Sequence, residues 1–244
     1  MDLYNLKNKK LTQVESKPFN LEKDIQTIIE ENTQELFNLQ FVTTEFSIGD
    51  FRLDSLCFDE ENKSFVIIEY KKGKSYSVID QGYSYLSLML NNKSDFILEY
   101  NENKKNSLKR GDVDWSSSKV IFISPSFNTY QKNSVNFQDV PFELWEIKKY
   151  SNNMISLNQH QSSSKESIQN LEGKKNSIIK DVGKEVKVFD EETVLNRSSE
   201  DIQELYFELK DKTSSWENIE FHAAKRYITI KRGTKTKIYL ILQK

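Results

Sequence analysis

The chain has 244 residues, 36% hydrophobic and 12% aromatic, which allows one good core and a second smaller one. Its 35 basic and 37 acidic side chains leave a net charge of −2, so charge balance alone dictates no partner. There is no run of eighteen apolar residues and the start MDLYNLKNKK has no apolar stretch, so neither a membrane span nor a secretion signal is expected. Cys57 is the only cysteine, which excludes an intramolecular disulfide and fits a reducing cytoplasm, and with two distant histidines, His160 and His222, it excludes a Cys/His zinc site within one chain.

In chain order, residues 21–37 (LEKDIQTIIEENTQELF) place Ile25, Ile28, Ile29 and Leu36 on one stripe, which predicts an amphipathic helix. Residues 41–46 (FVTTEF) and 52–58 (RLDSLCF) read as strands. The polar stretch 59–64 (DEENKS) is the turn into FVII at 65–68, a continuous β-branched run typical of a strand buried on both faces. A short polar turn makes the two flanking strands an antiparallel pair, so Asp54 and Glu69 can lie across from one another. Glu69 and Lys71, two apart, share a face, and Tyr70 points the other way. Residues 75–89 have helical apolar spacing, with Ser75 or Ser77 as N-cap. Gln81 and Tyr85, four apart on that helix, both face the strand ends. Residues 94–100 (SDFILEY) are ambiguous between helix and strand. VIFI at 120–123 is another buried strand, 127–136 a helix, and 142–147 (FELWEI) and 154–157 two late strands.

Two carboxylates, Asp54 and Glu69, with the ammonium of Lys71 at one point make a site for a hard divalent cation, which takes oxygen ligands from one or two carboxylates together with water and phosphate oxygens. The lysine can orient an attacking water and offset charge developing on a phosphate. An Asp and a Glu-x-Lys at strand ends serve equally well as solvated edge charges. What separates the readings is the ordered addition of Gln81 and Tyr85.

The order Asp54, Glu69-Tyr70-Lys71, Gln81-x-x-x-Tyr85 resembles the PD-(D/E)XK nuclease superfamily, and the Gln/Tyr element is similar to its RecB-type and NucS-like branch. Leu53 stands where the family name has proline. The resemblance spans roughly residues 18–159 and implies an α/β fold: a restriction-endonuclease-like αβββαβ core with a central mixed sheet flanked by helices. It implies a metal-dependent DNA endonuclease in DNA repair or anti-phage defence, using Mg²⁺ or Mn²⁺. The metal is then held by Asp54, Glu69 and the Tyr70 carbonyl, Lys71 acts on the water, and Gln81 and Tyr85 position the site or the DNA backbone. Members of that branch carry one more acid on the preceding helix; Glu22 matches best and Glu30, close to the same face, is second. The alternative is a catalytically silent nucleic-acid-binding or protein-interaction module that keeps the fold.

Up to residue 159 there are 19 basic and 23 acidic side chains, so contacts to DNA must be local. Lys72 and Lys74 beside Lys71 are the candidates, whereas Lys104, Lys105, Lys109 and Arg110 read as a solvated loop. The polar composition of 158–181 divides the chain into a nuclease-like domain, 1–159, a linker, 160–181, and a small α+β accessory domain, 182–244. In the last, 199–212 reads as an amphipathic helix and 227–230 with 237–242 as a hairpin. This part resembles, over a short stretch, a small domain of unknown function appended to such nuclease-like domains. A homodimer and a protein partner docking on this unit are both compatible with the pattern, and nothing selects among DNA forms or between DNA and RNA.

Overall fold

The computed structural model describes residues 2–72, 77–162, 164, 166–168, 177–233 and 235–242. An N-terminal hairpin, β1 (Leu3–Lys7) and β2 (Lys10–Val14), precedes the short strand β3 (Ser16–Lys17) and helices α1 (Glu22–Glu30) and α2 (Thr33–Phe37). Then follow β4 (Gln40–Ile48), β5 (Phe51–Asp59), β6 (Ser64–Tyr70), α3 (Val78–Asn91), α4 (Lys93–Lys104), β7 (Lys119–Ser124), α5 (Thr129–Ser134), β8 (Phe142–Tyr150) and β9 (Ile155–Gln159). The remainder comprises α6 (Ser177–Glu185), α7 (Glu191–Leu195), α8 (Glu200–Thr213), β10 (Ile219–Ala223), β11 (Ile228–Arg232) and β12 (Lys235–Leu240).

The FVII run lies in β6, an inner strand with every residue buried. It belongs to a seven-stranded mixed sheet of order β3-β8-β7-β6-β5-β4, with β9 also on β8. β4, β5 and β6 pair antiparallel, and β6, β7 and β8 pair parallel. The parallel β6–β7 pair requires a crossover, which α3 and α4 supply. On their face of the sheet Leu56, Phe58, Phe65, Ile67 and Phe122 pack with Leu86, Met89, Phe96 and Tyr100; on the other, Ile25 and Ile29 of α1 pack with Cys57, Val66, Ile68, Tyr70 and Ile121. Helices therefore cover both faces, as the αβββαβ order requires. Among the described residues no helix is long and apolar enough to cross a membrane.

The structure departs from the sequence pattern in several places. The helix expected over 21–37 is two helices, because Asn32 Nδ2 donates to the Ile28 carbonyl at 2.8 Å and the chain turns there, while Ile29 and Leu36 still reach the same core. The ambiguous 94–100 segment is helical. A strand would put Phe96, Leu98 and Tyr100 on one face, yet Phe96 and Tyr100 are buried and Leu98 is 57% exposed, the spacing of a helix. α3 starts at Val78, capped by Ser77, whose hydroxyl accepts from the Asp80 N–H at 3.3 Å. Its Gly82 lets it lie close to β8: a Cβ there would stand 2.6 Å from the Phe142 ring.

Within the stretch read as a linker, Ile168 is buried in the core that α3 shares and Ile179 packs against it; just beyond it, Val182 and Val186 are buried in the same core. The expected C-terminal hairpin is β11–β12, joined by β10 into a separate three-stranded sheet with its own core of Val194, Leu195, Tyr206 and Ile228. This sheet docks on the turn between β5 and β6. Glu61 there accepts from Thr236 Oγ1 at 3.1 Å and from the Tyr239 hydroxyl at 2.8 Å, and its carbonyl accepts from the Tyr227 hydroxyl at 2.7 Å.

Candidate active site

The candidate site forms where β5 and β6 separate. Their register runs from Asp59↔Ser64 to Ser55↔Ile68, so the next positions are Asp54 and Glu69. On its other side β5 pairs Thr44↔Ser55 and then Phe46↔Leu53, passing over Asp54. Glu45, opposite that gap, has φ of 51°, in the left-handed region, and the register is unchanged on either side of it. Asp54 thus sits where the β5–β6 ladder ends and the β4–β5 ladder skips one pair, and its Oδ2 accepts from the Tyr70 N–H at 3.0 Å. The Lys71 N–H continues to β7, donating to the Ile123 carbonyl at 2.8 Å.

Glu69 is 4% exposed at the exit of β6. Its Oε1 accepts from Lys71 Nζ at 2.6 Å and from Gln81 Nε2 at 2.8 Å. The same Nε2 donates to the Tyr85 hydroxyl at 2.8 Å, so the two hydrogens of the Gln81 amide are both committed. Glu69, Lys71, Gln81 and Tyr85 form one connected cluster, and the shared face expected of Glu69 and Lys71 is present. The Tyr70 side chain lies on the opposite face, its hydroxyl 3.0 Å from Ser55 Oγ.

Burial first, and the Glu69 carboxylate second, push the Asp54 carboxyl up to about 6, while the Tyr70 N–H and the Lys71 ammonium pull it back down. Two acids in one partly dry site repel each other. Burial, and then Glu69, also hold the Tyr85 phenol well above its ordinary value, so it is a neutral donor at any physiological pH. Glu69 Oε2 is buried with no hydrogen-bond partner among the described residues. A buried carboxylate oxygen without a donor, beside a second carboxylate resisting ionisation, is what a hard cation relieves, and the donor set is all oxygen. The carboxylates of Asp54 and Glu69 are oxygen donors of that kind. Among the described residues no group of three or more His, Cys, Asp or Glu side chains is arranged to hold a metal, so protein carboxylates alone do not complete a shell.

The two helix acids separate clearly. Glu22, at the start of α1, reaches the site end: its Oε2 accepts from the Lys72 N–H at 2.7 Å, and its charge adds to the upward push on Asp54. Glu30 lies on the other face, accepting from Gln26 Nε2 at 2.8 Å and Ser55 Oγ at 2.6 Å. The Lys72 ammonium bonds to the Asn20 carbonyl. Lys74 lies outside the described residues. Gln26, which donates to the Asp54 backbone carbonyl at 3.1 Å, is a site neighbour the pattern reading passed over. Its signal was the polar stripe Glu22, Gln26, Glu30, at four-residue spacing beside Ile25 and Ile29.

No protein-family model matches the chain. An uncharacterized protein of Haemophilus influenzae is 44% identical over 246 residues, covering 100% of this chain and 81% of that one. Among solved structures, EndoMS in its dsDNA complex matches with a TM-score of 0.34 at 16% identity, over 56% of this chain and 50% of that one. A repair endonuclease from Pyrococcus abyssi matches with a TM-score of 0.27 at 19% identity, over 48% of this chain and 43% of that one. This chain thus spans half or less of the length of those solved chains.

Proposed function

The chain belongs to the same family as the uncharacterized Haemophilus influenzae protein, and for it we propose a divalent-metal-dependent nuclease that hydrolyses phosphodiester bonds in DNA. The observation that carries this reading is the state of Glu69: buried, bonded through Oε1 to Lys71 and Gln81, and left with an unpartnered Oε2 beside Asp54. In the proposal Asp54, Glu69 and the Tyr70 carbonyl hold Mg²⁺ or Mn²⁺, with Glu22 the acid nearest to joining them. The bound ion supplies polarisation of a phosphoryl oxygen and a more acidic water.

The chain's own groups supply the rest. Lys71, paired with Glu69, brings an ammonium to the cluster and offsets negative charge accumulating on the phosphate. Gln81 fixes the Glu69 carboxylate through one hydrogen and the Tyr85 oxygen through the other, and the Tyr85 phenol is itself hydrogen-bonded to Glu69, so both helix residues hold that carboxylate in place. Lys72 and Lys74 meet the DNA backbone. The division into a nuclease-like domain, a connection at 160–181 and an accessory unit from 182 belongs to the same reading, as do the RecB-type branch and a cytoplasmic site of action.

A silent DNA-binding module is favoured by one observation. Glu22 is spent on the Lys72 backbone rather than turned to Asp54, leaving the site one acid short of the branch pattern. Cleavage separates the two readings. Purified protein is incubated with plasmid, single-stranded and flap DNA in Mg²⁺, in Mn²⁺ and in EDTA, beside Lys71→Ala. Cleavage by wild type alone, abolished by EDTA, is expected; DNA retention without cleavage in either metal would shift the assignment to the binding module.

A further inference from the structure

Behind the candidate site, on the α1 face of the sheet, a polar network sits where the flanking pattern is apolar. Gln26 is 6% exposed, and its Nε2 approaches Glu30 Oε1 at 2.8 Å, Thr44 Oγ1 at 3.0 Å and the Asp54 carbonyl at 3.1 Å. Two amide hydrogens are shared among three acceptors. Glu30 Oε1 also accepts from Ser55 Oγ at 2.6 Å, and Ser55 Oγ is 3.0 Å from the Tyr70 hydroxyl. The one Ser55 hydrogen is directed at Glu30, so the Tyr70 hydroxyl is the donor to Ser55.

The placement of these bonds matters more than their number. The β5–β6 ladder ends at Ser55 and the β4–β5 ladder skips Asp54, so the half-buried Asp54 carbonyl is free to take a side-chain donor. Gln26 is that donor. Ser55 neighbours Asp54 in sequence, and Tyr70 stands between Glu69 and Lys71. The Ser55–Tyr70 contact therefore ties β5 to β6 one residue from each carboxylate, on the face opposite the site.

We propose that Gln26, Ser55 and the Tyr70 hydroxyl are positioning residues that set the spacing and direction of the Asp54 and Glu69 carboxylates for a shared divalent cation. The inference rests on the metal-site reading above. A network that orients ligands without touching the metal typically changes metal affinity or activity by about 10–100-fold when broken.

The test is a calorimetric titration of wild type, Gln26→Leu and Tyr70→Phe with Mn²⁺, with melting of each protein in EDTA. Tyr70→Phe keeps the ring, the N–H bonded to Asp54 and the backbone carbonyl, so it reports on the hydroxyl alone if Gln26→Leu does not fold. Mn²⁺ binding about 10–100-fold weaker in the folded variants is expected. A lowered melting temperature with unchanged Mn²⁺ affinity would show the network to be only structural and overturn the inference, leaving the metal site intact. No Mn²⁺ binding by wild type would overturn both.

Discussion

Asp54→Asn is predicted to stabilise the metal-free protein at neutral and alkaline pH while abolishing its response to metal. The native carboxyl is raised from 3.8 to about 6, chiefly by burial and then by Glu69. A raised carboxyl means the folded state prefers the proton: that contribution is fully present below pH 3.8 and is lost as pH rises through about 6. A rise of this size corresponds to at most ~3 kcal/mol, and less where solvent still reaches the group. An asparagine keeps an oxygen to accept from the Tyr70 N–H and carries no charge against Glu69. Each kcal/mol shifts the melting temperature of a chain this size by about 2–4 °C. In EDTA the variant should therefore melt several degrees above wild type near pH 8, with the gap closing toward pH 5. Adding Mn²⁺ at a hundredfold excess over its dissociation constant should stabilise wild type by about 2.7 kcal/mol and the variant far less. Thermal melts across this pH range, with EDTA and with Mn²⁺, measure both effects. A variant less stable than wild type at pH 8 in EDTA, or equal stabilisation of both by Mn²⁺, refutes the reasoning.

Two predictions concern the fold that carries the site. Gly82→Ala gains about 1 kcal/mol of helix propensity but drives a methyl against the Phe142 ring, itself held edge-on by Tyr83 and Phe122, so a net loss of about 1–2 kcal/mol is expected in urea unfolding; a more stable variant would show that the ring yields freely. Glu61→Ala removes the acceptor for Thr236 and Tyr239, so amides of β11 and β12 should exchange faster while those of β6 keep their protection. Unchanged exchange throughout would mean that the C-terminal sheet is held by other contacts.

How much of this could be read from the residues depends on whether a segment has a buried face. FVII announces β6 because that strand is covered on both sides and paired with β5 and β7. β1 and β2 are almost wholly exposed, with Leu6 at 72% and Leu11 at 66%, so no burial imprints a period on them. The break between α1 and α2 is invisible in the apolar stripe because both halves meet one core. At the site, Glu69, Lys71, Gln81 and Tyr85 come together because strand and helix periods fix their directions. The surroundings of Glu22 and Glu30 are not written in the stripe. The two acids stand eight residues, or about 12 Å, apart on α1, and its seating on the sheet brings Glu22 to the Lys72 N–H and Glu30 to Ser55. Gln26 is hidden for a related reason: a glutamine next to an isoleucine stripe reads as the wet side of a helix, and only the fold brings the Asp54 carbonyl to its amide.

Metal-dependent cleavage through Glu69 tests the account most directly. Plasmid DNA is incubated in Mn²⁺ with wild type and with Glu69→Gln, a change that keeps size and one oxygen to accept from Lys71 and Gln81 but removes the charge. The account predicts DNA cleavage by wild type and little or none by the variant, which has lost one of the two carboxylates that hold the ion. Equal cleavage by the two proteins would contradict it.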